Sequence, residues 1–308
     1  MKDFITIREV GLRDGLQLSK SIISTEQKIE WCKEQAKAGF KEIEVTSIVP
    51  KKILPQFSDY EEVYKVSKNI SGLLPSVLVP NLKGGLQALE IGVKKITFVL
   101  SASEAHNQSN VKTSIENSLK MLENIISQNN LVSYENRATI SLAIATSFGC
   151  SIQGKVSENI VLKIVEKALD YGINEINLAD TVGYANPKQV SKIFTNVKNL
   201  LGNISLCGHF HDTRGMGLAN VISAYEAGAT VFDSSIGGLG GCPFAPGASG
   251  NISTEDCVYM LESMGVNTGV NFEKLIKLSS KIESIMTKDK FFGRLLKVGK
   301  SKIFNYTN

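Results

Sequence analysis

The segment EINLADTVGYANPKQVSKIFTNVKNLLGNISLCGHF, Glu175–Phe210, contains one complete strand–helix–strand unit. Its two ends, EINLA (Glu175–Ala179) and SLCGHF (Ser205–Phe210), are short apolar runs, which are typical of strands buried on both faces. Pro187 begins the segment between them, as proline does in the first turn of a helix. A buried strand, a helix and a second buried strand in this order predict a parallel sheet with helical crossovers.

The same unit recurs along the chain and predicts eight strands: Phe4–Val10, Glu42–Thr46, Pro75–Val79, Lys95–Leu100, Ala138–Ile144, Glu175–Ala179, Ser205–Phe210 and Thr230–Ser235. Eight such units match a (β/α)8 barrel, which typically takes about 250 residues. A doubly wound open sheet is the alternative, but no dinucleotide-binding glycine fingerprint follows the first strand. We therefore predict an α/β fold, with a (β/α)8 TIM barrel over residues 1–270. Residues 271–308 form an additional C-terminal helix and basic tail, packed on the barrel.

Composition and charge exclude several classes of protein. The chain has 308 residues, of which 43% are hydrophobic, and a formal net charge of +4. Its lysines are scattered, which argues against a nucleic-acid-binding face but suits a small anionic substrate. It has no apolar run of membrane-spanning length and no signal-peptide pattern at its N-terminus, so we predict a cytoplasmic protein without a membrane partner. The five cysteines lack framework spacing and are interpreted as thiols.

Two of the three histidines, His209 and His211, lie at the end of the seventh predicted strand. Residues i and i+2 of a strand point to the same face, and barrel active sites form at the C-terminal ends of the strands. Two adjacent imidazoles there indicate one bound metal ion. The alternative is a hydrogen-bonded polar layer.

Other strand ends carry possible partners for these histidines. Asp14 and Arg13 follow the first strand, which favours the barrel mouth over a surface ion pair. Glu44 interrupts an apolar strand, and a buried carboxylate is costly unless paired, so we expect it to meet Arg13 or the polar network of the site. Asp180 and Thr181 follow the sixth strand and are either site residues or parts of a turn.

The segment GGLGGCPFAPGASGN, Gly237–Asn251, contains six glycines and two prolines and predicts a tight backbone cradle or a mobile lid. Cys242 lies at its centre and indicates acid–base or nucleophilic chemistry, the alternative being an incidental thiol. Asn251 ends the segment, either as the N-cap of the next helix or as a metal ligand together with Asp14, His209 and His211.

The ligand set of nitrogen and oxygen atoms without a thiolate favours Mg²⁺ or Mn²⁺ over structural zinc. Such a cation can bind a hydroxyl and a carbonyl or carboxylate oxygen together and lower the pKa of the hydroxyl. Arg13 can stabilise an enolate oxygen, and the thiol of Cys242 can transfer a proton at carbon. Together these groups predict aldol or Claisen chemistry, in either direction.

The motifs REVGLRDGLQ, IEVTS, NLKG, LADTVG, GHFHDTRGMGLAN and GGLGGCPFAPGASGNISTEDCVYML resemble the 3-hydroxy-3-methylglutaryl-CoA lyase family over nearly the whole chain. The resemblance implies cleavage of 3-hydroxy-3-methylglutaryl-CoA, or a closely related 3-hydroxyacyl-CoA, to acetyl-CoA and acetoacetate or the corresponding keto acid, as in leucine degradation. It implies an enolate-stabilising Arg13, a catalytic Cys242 thiol and a supporting Glu44. The implied ligands of the divalent cation are Asp14, His209, His211 and Asn251, and Asp180 corresponds to a further family aspartate at the mouth.

Three βα loops differ from the family pattern: SIVPKKILPQ, ASEAHNQSN with His106 at an expected apolar position, and GCSIQGK, where the family has Cys-Pro, an aromatic residue and Glu-Gly. Acyl preference depends on such loops. One alternative function is a Claisen-condensing acyl transferase that joins acetyl-CoA to a 2-oxo acid, and another is a non-catalytic barrel that binds a metal or CoA. The Cys242 loop favours the lyase. We expect an acyl-CoA thioester as partner, no nucleic acid, and a homo-oligomer, either a dimer or a tetramer.

Overall fold

The computed structural model describes residues 4–241 and 250–304. Eight parallel strands pair in chain order, and the last pairs with the first, which closes a barrel. The strands are β1 Thr6–Glu9, β2 Glu42–Ser47, β3 Leu74–Val79, β4 Lys95–Ser101, β5 Thr139–Ala145, β6 Glu175–Asp180, β7 Ser205–Phe210 and β8 Val231–Ser234. The predicted (β/α)8 barrel is therefore confirmed, and every predicted strand limit lies within two residues of the observed one.

The helices surround the barrel and cover the outward faces of the strands. They are α1 Thr25–Lys37, α2 Tyr60–Ser67, α3 Leu82–Glu90, α4 Glu104–Val111, α5 Ile115–Asn130, α6 Glu158–Tyr171, α7 Pro187–Leu201, α8 Gly217–Glu226, α9 Thr254–Ser263, α10 Phe272–Ile285 and α11 Leu295–Val298. Helix α7 begins at Pro187 as predicted, and the Asn186 side chain caps it. Helix α4 lies in a segment interpreted as a loop, where the hydroxyl of Ser103 accepts the backbone N–H of His106 and so begins a helix.

The lower half of the barrel interior is ionic, although barrel interiors are usually filled by branched apolar residues. Arg8 donates to Glu175 and to Asp233, both at 2.6 Å. Lys95 donates to Glu42 and to Glu175, both at 2.7 Å. Burial alone would raise the pKa of Glu175, but Arg8 and Lys95 outweigh it and lower that pKa to about 2. Charges this deeply buried persist only because each has a partner.

The C-terminal segment packs against two parts of the barrel. The backbone N–H of Asn271, the N-cap of α10, donates to the carbonyl of Ala38 at 2.6 Å, beside the end of α1. Farther along, the ring of Phe291 covers Gly237. Gly237 has a φ of 61°, and a Cβ added there would lie 2.0 Å from the Phe291 ring, so no larger residue fits. The backbone N–H of Phe292 donates to the carbonyl of Gly237 at 2.7 Å. The C-terminal segment thus holds the start of the glycine-rich segment, and the division at residue 270 stays a prediction.

Four cysteines lie in the described part of the chain, and all four are buried free thiols: Cys32, Cys150, Cys207 and Cys257. Burial raises the pKa of Cys32 and of Cys257 to about 12, which suits core thiols without chemistry. Separately, within residues 4–241 and 250–304, no helix combines the length and apolar character needed to cross a membrane.

Candidate active site

A cavity of about 520 Å³ lies at the C-terminal end of the barrel. Three alanines on the inward face of β5 and β6, Ala143, Ala145 and Ala179, line it, and their small side chains leave the space open. The predicted site residues on its wall are Arg13, Asp14, Glu44, Thr181, His209 and His211. The barrel therefore brings together residues that come from four different strand ends.

A candidate metal-binding group forms one part of this wall. His209 Nε2 and His211 Nε2 lie 3.2 Å apart, and His211 Nε2 lies 3.7 Å from Asp14 Oδ2. The possible ligand atoms of Asp14, His209 and His211 all lie within 4.8 Å of one another, and all three residues are buried. Burial alone would raise the pKa of Asp14, but Arg13, His211 and His209 together outweigh burial, so this pKa lies well below its usual range. An ionised carboxylate and two imidazoles that converge in this way suit a shared cation.

Asn251 adds an oxygen donor beside this group. Its Nδ2 donates to Asp14 Oδ2 at 2.6 Å and to the carbonyl of Leu239 at 3.0 Å. Its Oδ1 is buried and has no hydrogen-bond partner in the described part of the chain. The N-cap interpretation of Asn251 is wrong, because Ser253 caps α9. An orphaned buried oxygen is costly, and a cation bound there would satisfy it, so these residues fit a divalent metal ion.

Arg13 lies beside the candidate metal group, in a single π-helical turn, Gly11–Gly15, that directly follows β1. Its Nε donates to Glu44 Oε2 and its Nη1 to Asp14 Oδ1, both at 2.5 Å. The expected contact between Glu44 and Arg13 is therefore confirmed. Nη2 has no partner among the described residues and belongs to a side chain that lines the cavity. The guanidinium is thus fixed on one side and available to a ligand on the other.

Asp180 and Thr181 have different surroundings. The carboxylate of Asp180 accepts the backbone N–H groups of Tyr184 and Ala185 at 2.8 and 3.1 Å. These contacts stabilise the turn after β6, as the turn interpretation of this residue predicts. Burial raises its pKa. Thr181 lines the cavity, and its hydroxyl accepts the backbone N–H of Thr146 at 2.8 Å. Of the pair, Thr181 is the one with direct access to a ligand in the cavity.

Cys242 lies outside the described residues, so its predicted role stays a prediction. The described start of its segment does reach the site. A Cβ on Gly240 would lie 2.5 Å from Asn251 Nδ2 and 3.1 Å from Asp14 Oδ2, so only glycine permits this approach. Gly241 lines the cavity. The residue that precedes Cys242 therefore belongs to the same wall as the metal group.

Two of the loops that depart from the family pattern contribute to the cavity. Ile53 lines it from the segment between β2 and α2. His106 lines it from α4, is 2% exposed and has its Nδ1 2.6 Å from Ser101 Oγ. Burial lowers the pKa of His106, which favours the neutral ring. Both residues thus line the cavity without belonging to the candidate metal group.

Sequence reasoning missed Asp233, which contacts a candidate metal ligand. Its Oδ2 lies 3.1 Å from His209 Nδ1. The signal was present in the sequence, because Asp233 interrupts an apolar strand just as Glu44 does, and Arg8 lies inside its strand in the same way. A buried charge in a strand predicts a paired partner, but the sequence does not identify that partner.

Glu9 gives a testable pH dependence. Its fully buried carboxyl accepts the backbone N–H groups of Gly11 and Ile236, and burial raises its pKa from 4.5 to about 8. The folded state therefore binds this proton more tightly than the unfolded chain, so its contribution to stability is lost as the pH rises from about 4.5 to about 8. In Glu9→Gln this decrease in the free energy of unfolding, which amounts to at most roughly 5 kcal/mol, should be absent. Urea unfolding across this pH range measures it, and equal slopes for both proteins would contradict it.

The HMGL-like family model matches residues 5–282 of the chain. The hydroxymethylglutaryl-CoA lyase of Bacillus subtilis is 42% identical over 284 residues, which cover 92% of this chain and 94% of that protein. The human mitochondrial hydroxymethylglutaryl-CoA lyase is 40% identical over 273 residues, or 89% of this chain and 83% of the relative.

Solved structures agree with these matches. An HMG-CoA lyase from Acinetobacter baumannii, in complex with coenzyme A and 3-methylmalate, superposes with a TM-score of 0.91 at 40% identity. The match covers 99% of this chain and 98% of the other. The Bacillus subtilis HMG-CoA lyase structure gives a TM-score of 0.90 at 40% identity and covers 98% of this chain and 99% of the other.

Proposed function

The chain belongs to the HMGL-like family, and from this premise we propose that it cleaves 3-hydroxy-3-methylglutaryl-CoA to acetyl-CoA and acetoacetate. It is a carbon–carbon lyase of the hydroxymethylglutaryl-CoA type. The observation that carries this proposal is the convergence of Asp14, His209 and His211 beside Arg13 on one cavity wall. Coenzyme A in the Acinetobacter baumannii relative supports an acyl-CoA thioester as substrate.

Asp14, His209, His211 and Asn251 would hold a divalent cation. That ion, when bound, lowers the pKa of the substrate hydroxyl and fixes the hydroxyl and a second oxygen in one geometry. The mixed nitrogen and oxygen donors favour Mg²⁺ or Mn²⁺. The chain would thus supply the binding site through side chains from the turn after β1, from the end of β7 and the residue that follows it, and from the segment after β8.

Cleavage of the C–C bond leaves a negative charge on the acetyl-CoA fragment, and the active site must stabilise that charge. The hydroxyl of the substrate gives its proton to solvent and becomes the ketone of acetoacetate, while the electron pair of the C–C bond forms the enolate of acetyl-CoA. Arg13 stabilises the enolate oxygen, because its guanidinium is held in place by Glu44 and Asp14 on the cavity wall. Proton delivery to the enolate carbon completes acetyl-CoA, and Cys242 is the predicted donor.

Purified protein should be assayed with Mg²⁺ or Mn²⁺ against a panel of 3-hydroxyacyl-CoA thioesters, with products identified by mass spectrometry. We expect acetyl-CoA and acetoacetate from 3-hydroxy-3-methylglutaryl-CoA. The panel also tests whether Ile53 and His106, which line the cavity, shift the acyl preference to a related thioester. Release of free CoA from acetyl-CoA and a 2-oxo acid, without cleavage of any thioester in the panel, would instead indicate the condensing transferase.

Cys242→Ala should retain metal binding and lose most cleavage, because the variant cannot deliver a proton to the enolate carbon. The expected loss of kcat is about 10²- to 10⁴-fold, the usual contribution of one acid–base group. Steady-state kinetics and Mn²⁺ titration measure the two effects. Cys257→Ala is the matched control, since that thiol is buried and lies outside the cavity wall. A fully active Cys242→Ala enzyme would remove the thiol from the mechanism.

The identity of the cation as magnesium, a role in leucine degradation, a cytoplasmic location and a dimeric or tetrameric assembly all stay predictions. Each has a direct measurement, respectively metal analysis of purified protein, growth of a deletion strain on leucine, cell fractionation and light scattering in solution.

A further inference from the structure

We propose that Asp233 is a positioning residue for metal binding, which orients the His209 imidazole so that Nε2 faces the cation. The inference rests on the metal site of the proposed function and adds one residue to it. His209 presents Nδ1 to Asp233 Oδ2 at 3.1 Å and Nε2 to His211 Nε2 at 3.2 Å. Nδ1 of His209 therefore contacts a carboxylate, while Nε2 faces the candidate metal-binding group. A hydrogen bond of this kind fixes both the orientation and the tautomer of a metal-binding histidine.

Strand register brings the three residues of this arrangement together. In the β7–β8 pair, His209 lies opposite Asp233, and in the β8–β1 pair, Asp233 lies opposite Arg8. All three are buried side chains that meet in the barrel interior. The contact between β8 and β1 exists only because the barrel is closed. Asp233 on β8 thus contacts both Arg8 on β1 and the candidate metal ligand His209 on β7.

The Asp233 carboxylate is held at both oxygens. Arg8 Nε donates to Oδ1 at 2.6 Å, and Asn177 Nδ2 donates to Oδ2 at 2.8 Å. The residue is 3% exposed, so rotation of the carboxylate would break a buried charge pair. Since Arg8 and Asn177 donate to it, Asp233 acts as an acceptor, and His209 Nδ1 is the donor in their contact. His209 Nε2 therefore keeps the lone pair that a metal ion needs.

The tautomer can be measured in the unmodified, metal-free protein. The chain has three histidines, so a ¹⁵N-histidine spectrum contains three rings, each assigned by replacing one histidine with glutamine. At a pH where His209 is neutral, we expect it to carry its proton on Nδ1. A proton on Nε2 would overturn the proposal. This measurement decides the question even if variants at position 233 do not fold.

Asp233→Asn keeps the shape of the side chain but removes the charge that holds His209. We expect its Kd for Mn²⁺, measured by calorimetry on metal-free protein, to rise about 10- to 100-fold, the usual effect of losing such a partner. We also expect His209 to lose its uniform Nδ1–H tautomer. Unchanged Mn²⁺ affinity together with an unchanged tautomer would overturn the proposal.

Glu175→Gln is the matched control. It removes a carboxylate from the same buried network, since Glu175 also accepts from Arg8 at 2.6 Å, but Glu175 has no described contact with His209. We expect it to lower the free energy of unfolding while Mn²⁺ affinity stays near that of the parent. Equal weakening of Mn²⁺ binding by both variants would assign the effect to general destabilisation and overturn the proposal. A parent protein that binds no Mn²⁺ would contradict the metal site of the proposed function itself.

Discussion

Arg13→Gln should lower kcat about 10³-fold, which corresponds to about 4 kcal/mol of lost transition-state stabilisation. The reason is that the enolate charge exists mainly in the transition state, so the guanidinium stabilises that state far more than the bound substrate. Glu44 and Asp14 fix Arg13 through Nε and Nη1, each at 2.5 Å, so the charge is already in place when the enolate forms. Steady-state kinetics should give a much smaller change in KM than in kcat.

Arg214→Gln is the control for this experiment. Arg214 also lies near the barrel mouth, but it stacks on Tyr184, with 4.6 Å between its guanidinium carbon and the ring centroid. Its Nη1 donates to the carbonyls of Val182 and Gly183. We expect the kcat of this variant to stay near the parent value. An Arg13→Gln enzyme with unchanged kcat would contradict the enolate-stabilising role.

Removal of a metal ligand is the second large effect. His211→Ala should raise the Kd for Mn²⁺ by at least about 100-fold. Even the loss of a residue that only hydrogen-bonds a metal ligand typically weakens metal affinity by about 10- to 100-fold. Loss of the imidazole leaves Asp14 without one of the nitrogens that now converge with it. Cleavage should fall with metal occupancy and recover partly at high Mn²⁺ concentration. Treatment of the parent with a chelator should abolish activity, and added Mg²⁺ or Mn²⁺ should restore it.

His106→Ala is the matched control, because it removes the third histidine of the chain from the same cavity but outside the candidate metal group. We expect its Mn²⁺ affinity to equal that of the parent, whatever happens to its acyl preference. If His211→Ala binds Mn²⁺ as tightly as the parent does, the ligand assignment fails.

Much of the fold follows from the sequence because the relevant signals are local. The apolar run Ser205–Phe210 predicts a strand buried on both faces, and Pro187 predicts where the preceding helix begins; both are confirmed. The spacing of His209 and His211 places both side chains on one face of that strand, since alternation depends only on the residue count. These properties are decided within a few residues and need no knowledge of the neighbouring strands.

The partners of each side chain were decided only by the tertiary structure. Nothing local indicates that Asp233 contacts His209, that Arg8 meets Glu175 across 167 residues, or that Asn251 is not the cap of α9. These contacts depend on which strands are neighbours, on their register and on closure between β8 and β1. The sequence alone determined the eight strands and the faces that they present, although helix α4 was interpreted as a loop. Closure of the barrel determined which buried charges meet, because pairing is a property of the whole sheet.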